Sequence, residues 1–100
     1  MHDTPVTIRV AAPQDARTLR RLAALDSSVP PAGPALVAEL DGVPVAALSL
    51  HTGAVIADPF HPSADAVRLL RLRRYQLLRQ GGGHARPWML LRRIAPGEAR

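Results

Sequence analysis

Leu36-Val37-Ala38-Glu39-Leu40, then Asp41-Gly42, then Val43-Pro44-Val45-Ala46-Ala47-Leu48-Ser49-Leu50 is the stretch that decides the fold. Two apolar runs flank an Asp-Gly pair, the strongest short-range signal for a β-hairpin. A type I′ turn requires φ > 0 at both central residues, which Asp tolerates and Gly adopts freely. In the simplest register Leu40 faces Val43, and Leu36, Ala38, Val45 and Ala47 share their face. Val37, Ala46 and Leu48 then occupy the other face. Both faces are largely apolar, so both are expected to be covered, as in a central hairpin flanked by helices. Pro44 is expected opposite Glu39 at a non-hydrogen-bonded pair, where it withholds no donor from that neighbour.

The chain on either side supplies the covering elements. Val6 to Val10 (Val-Thr-Ile-Arg-Val) alternates and is rich in β-branched residues, so it is expected to be a first strand. Ala11-Ala12-Pro13-Gln14-Asp15 opens a helix, with Pro suited to the first turn and Asp15 to the positive end of the dipole. The helix is expected to end near Asp26. Ala16, Leu19, Leu22 and Ala23 fall on its inner side, and Arg17, Arg20 and Arg21 on its solvated side. Ser27 to Pro34 has three prolines and a glycine in eight residues, so it is read as a constrained loop.

Beyond the hairpin, His51-Thr52-Gly53 is a tight turn and Ala54 to Asp58 a short strand stopped by Pro59. A second helix is expected from about Ala64 to Leu78 or Gln80, opened by Ser63 or Pro62-Ser63. Its buried arc is Ala66, Val67, Leu70, Leu77 and Leu78. Arg68, Arg71, Tyr75 and Arg79 lie opposite, and Leu69 and Leu72 widen the apolar surface. Gly81-Gly82-Gly83 ends the helix. The reading is therefore an α+β domain over residues 1–80, a mainly antiparallel sheet packed by two helices, and a Gly/Arg-rich tail over 81–100. The tail carries Trp88, Met89, Leu90, Leu91 and Ile94 among its arginines. It reads as disordered, as a last strand, or as an arm that touches a partner or a membrane surface.

Composition narrows the function classes. One hundred residues, 47% of them apolar with only three aromatics, make one domain with a core of Leu, Val and Ala. The absence of cysteine excludes disulfides and thiolate metal sites and fits a reducing compartment, so a cytoplasmic location is expected. The start, Met-His-Asp-Thr-Pro, has no signal-peptide pattern, and no apolar run is long enough to span a membrane. The net charge of +5 comes from 13 arginines and no lysine. It fits an anion-binding surface, but codon bias toward Arg, Ala, Pro and Gly explains it more simply. A nucleic-acid surface through Arg68, Arg71 and Arg79 would lack aromatic interleaving and any recognised module, and charge alone leaves it open.

The order of elements resembles the first two-thirds of the GNAT acyl-CoA N-acyltransferase superfamily. The resemblance runs from about Val6 to Gln80. It rests on Ile8-Arg9-Val10-Ala11-Ala12-Pro13-Gln14-Asp15-Ala16 before the first helix and on Leu36 to Ala46 in the hairpin. It implies a GNAT-like fold and, in active members, an acetyl-CoA pyrophosphate held by a Gln/Arg-x-x-Gly-x-Gly/Ala loop at a helix N-terminus. Here that position reads Asp58-Pro59-Phe60-His61-Pro62-Ser63-Ala64-Asp65, with no glycine, two prolines and two acids. The family's usual Tyr general acid belongs to a second half that is mostly missing here.

No catalytic, cofactor-binding or metal-binding residue is assigned. His2, His51, His61 and His84 have no ligand spacing and read as loop or surface histidines. Asp58 sits where a general base could stand, but a capping or turn Asp before Pro59 is the plainer reading. Glu39 in an apolar strand would carry a raised pKa if buried, or face solvent at the hairpin tip. No Ser-His-Asp arrangement can be assembled. The expected function is a binding or assembly module without acetyltransferase activity and without a cofactor, its partner a second copy that covers open sheet edges. The alternative is a small acetyl-CoA-dependent N-acetyltransferase with an atypical or partner-completed cofactor site.

Overall fold

A computed structural model describes residues 5–80. Strands β1 (Val6–Val10), β2 (Ala35–Leu40), β3 (Val43–Ser49) and β4 (Val55–Ala57) form one sheet in the order β1-β2-β3-β4. Every neighbouring pair is antiparallel. The expected hairpin is β2–β3, and it supplies the two central strands. Asp41 and Gly42 have φ of 53° and 82°, the double positive φ that a type I′ turn needs. Nothing lies within 4 Å of where a Gly42 Cβ would stand, so glycine is required there by backbone conformation and not by space.

Two helices cover the two faces. A 3₁₀ turn at Pro13–Asp15 leads into α1 (Ala16–Leu25), and α2 (Ala64–Gln80) follows β4. On one face Ala66 and Leu70 of α2 pack with Leu36, Ala38, Val45, Ala46, Leu48 and Leu50. On the other face Leu22 and Ala23 of α1 pack with Val37, Ala47 and Ile56. Both helical stripes match the 3.6-residue period, except that Ala16, at the start of α1, is exposed. Val67, Leu77 and Leu78 pack at the margin of the α2 side. The fourth strand is shorter than Ala54 to Asp58; those two residues flank it and are joined to β3 by Ser49 N–H to Ala54 C=O (2.9 Å) and Asp58 N–H to Val45 C=O (2.8 Å).

The facing pattern of β3 corrects the simplest register. Glu39 pairs with Pro44 and Leu40 with Val43 as expected, but the next pair is Ala38 with Ala46, so Val45 has no partner on β2. This is a β-bulge, one extra residue on one strand. Past it the parity reverses. Ala46 and Leu48 join Leu36 and Ala38 beneath α2, while Ala47 joins Val37 beneath α1. Val45 stays on the α2 side beside Ala46, and Val43 at the hairpin tip is exposed. Pro44, which has no N–H to donate, stands directly before the bulged Val45.

The β3–β4 turn is clamped by α2. Arg74 donates from Nε to the Leu50 carbonyl (3.1 Å) and from a terminal nitrogen to the His51 carbonyl (3.3 Å). Its guanidinium lies over Gly53, whose φ is 78°. The tail at 81–100 and residues 1–4, with His2 and His84, lie outside the described residues.

Candidate functional site

The resemblance directs attention to the β4–α2 loop, where Asp58 is the organising residue. Its backbone N–H is tied to the bulge residue Val45, which fixes where the strand ends. The side chain is buried and both its oxygens are used. Oδ1 accepts the Phe60 N–H at 2.8 Å, an Asx-type turn, and Oδ2 meets His61 Nδ1 at 2.9 Å. The Asp58 carbonyl also accepts the His61 N–H at 3.3 Å. Asp58 therefore builds the turn, as the plainer reading expected. The Phe60 N–H bond is the main reason its carboxyl is held below the usual range. Burial opposes this, while His61 and the field of Arg21 add to it.

The supply of anion-binding donors in this loop is small. Pro59 and Pro62 have no N–H, and those of Phe60 and His61 are directed inward to Asp58. The first intrahelical bond of α2 runs from Val67 N–H to Ser63 C=O (2.9 Å), which leaves the amides of its first turn. Asp65 places its carboxylate in that turn, paired with Arg68 three residues on. The cation nearest the loop in sequence is thus already engaged, on an exposed surface.

A second polar cluster ties β1, β2 and the start of α1 together. Arg9 donates to both oxygens of Asp15 (2.8 and 2.9 Å) and reaches Glu39 Oε2 at 3.1 Å. Asp15 is buried and also accepts the Ala12 N–H at 2.6 Å. The Arg9 bonds are the largest reason that the Asp15 carboxyl is held below its ordinary range, against burial. The same bonds raise the Arg9 pKa further. Glu39 is half-buried with Arg9 beside it, so it does not simply face solvent at the hairpin tip. Sequence reasoning gave Asp15 only a dipole role and missed the network. Its signal was Arg9 at an inward-facing strand position six residues before a first-turn acid. Every oxygen-to-cation bond here joins structural elements, so the cluster is a staple rather than a site with spare valence.

The remaining candidates do not gather. His51 stands in the β3–β4 turn with its ring beside Gly33. Arg17, Arg20, Arg21, Arg68, Arg71 and Arg79 are exposed on the two helices. Among the described residues no three of His, Asp and Glu come together as a metal site would need. No helix among them is long and apolar enough to cross a membrane. No protein-family model, curated protein or solved structure matches the chain.

Proposed function

We propose that this is a GNAT-like domain that acts as a binding or assembly module and does not transfer acetyl groups. The observation that carries the reading is the β4–α2 loop, where the Phe60 and His61 amides are turned inward onto Asp58 and Pro59 and Pro62 have none to offer. A pyrophosphate needs several convergent donors or cations, and here two prolines and the carboxylate of Asp65 take their place. The assembly side of the reading is supported by the surface of α2, where Leu69, Leu72 and Tyr75 are exposed. A second copy is the partner proposed, and a cysteine-free chain suits the reducing cytoplasm.

The test is thermal unfolding with and without acetyl-CoA or CoA. A ligand at 100 times its Kd stabilises a fold by about 2.7 kcal/mol, which for a domain of this size moves Tm by roughly 10 °C or more. The expected result is no shift with either compound at millimolar concentration. A concentration-dependent rise in Tm would restore the acetyl-CoA-dependent reading.

A further inference from the structure

We propose that two copies of this chain pair through the outward faces of α2, antiparallel, with Leu72 on the two-fold axis. The inference rests on the assembly reading and names its surface. At 100° per residue, Asp65, Arg68, Leu69, Leu72, Tyr75, Gln76 and Arg79 share one arc of α2, and all of them are exposed. Their spacing of three and four is that of a helix–helix seam. Leu72, 47% exposed, is at the centre of the arc, where a solvated helix would ordinarily carry a polar residue.

The arc is complementary to itself when reversed. An antiparallel two-fold through Leu72 sets Leu72 against Leu72, Leu69 against Tyr75, Arg68 against Gln76, and Asp65 against Arg79. Each residue meets a suitable partner, and the two acid–base pairs close the two ends of the seam. A parallel pairing would set Asp65 against Asp65 and Arg79 against Arg79, and like charges fix the orientation by repulsion. Arg79 is already held along the seam over the Tyr75 ring, 5.8 Å from its centroid. An isologous interface of this kind closes at two copies. A dimer through the β4 edge is less well supplied, because β4 has three residues and its Ala57 N–H is taken by the Asp26 side chain at 3.2 Å.

The experiment is sedimentation equilibrium of the full chain at moderate salt, with Asp65→Arg, Arg79→Asp, their mixture, and Leu72→Glu. The wild type is expected to dimerise. Each single charge change should weaken self-association by at least about tenfold by setting like charges at both ends. Mixing the two variants should restore a heterodimer, since one chain then presents two cations and the other two anions. Leu72→Glu should be monomeric with an unchanged circular dichroism spectrum. A monomeric wild type, a dimer indifferent to these changes, or a mixture that stays monomeric overturns the proposal. A dimer held by sheet edges or by the tail would show itself as the indifferent case. Acetyl-CoA binding is read separately, so either proposal fails without the other.

Discussion

Leu70→Ala and Leu72→Ala remove the same atoms from positions two residues apart on α2, and the fold gives them opposite consequences. Leu70 is fully buried beneath the helix, in the cluster that includes Leu36, Leu48 and Leu50. Truncation removes three carbons, which at about 0.8 kcal/mol each is roughly 2.4 kcal/mol of lost transfer energy. The cavity left behind raises the total to about 2–5 kcal/mol. That is a large share of the roughly 5–15 kcal/mol that stabilises a small domain. Leu72 faces outward, so its truncation should change the stability of the monomer by no more than about 0.5 kcal/mol. Urea unfolding followed by circular dichroism at micromolar or lower protein concentration measures both. Leu70→Ala should lower the midpoint markedly at unchanged m-value, with Leu72→Ala near wild type. Equal midpoints would mean that α2 does not pack on the sheet through this arc.

Gly42→Val should cost about 1 kcal/mol or more, entirely through backbone strain at a φ of 82° that a β-branched residue resists; an unchanged urea midpoint would refute the type I′ turn. Acid titration should expose the Arg9–Asp15 staple. A carboxyl whose folded pKa is depressed contributes stability that is complete above its unfolded value, about pH 4, and lost as pH falls through the folded value. Asp15→Asn should therefore destabilise the fold at pH 7 and flatten the loss of stability as pH falls below about 4, leaving the part due to Asp58. The same acid slope in wild type and variant would remove Asp15 from the account.

The hairpin, both helices and the covering of both sheet faces were legible because each rests on a local signal. Asp41-Gly42 dictates a turn, and the stripe through Leu19, Leu22 and Ala23 dictates a buried face. The parity of β3 was misread because the bulge at Val45 has no unambiguous local signal. Pro44 near the start of a strand is compatible with a bulge or with none, and a bulge reverses every residue after it. The Arg9–Asp15–Glu39 staple and the Arg74 clamp on the Leu50 and His51 carbonyls depend on chain segments brought together from a distance. No periodicity encodes such meetings. Asp58 was readable as a turn residue from the proline that follows it. That Phe60 and His61 turn their amides onto it follows only from the way the loop closes.

Isothermal titration of the chain with acetyl-CoA at low salt tests the central claim most directly, because low ionic strength exaggerates any electrostatic attraction to the arginines. The account predicts no saturable heat at physiological ligand concentrations. The Asp65 carboxylate stands in the first turn of α2, where an anion would bind, and the Phe60 and His61 amides are already bonded to Asp58. Saturable micromolar binding that is lost in Arg68→Ala would contradict it, and would mean that α2's first turn holds a pyrophosphate despite Asp65.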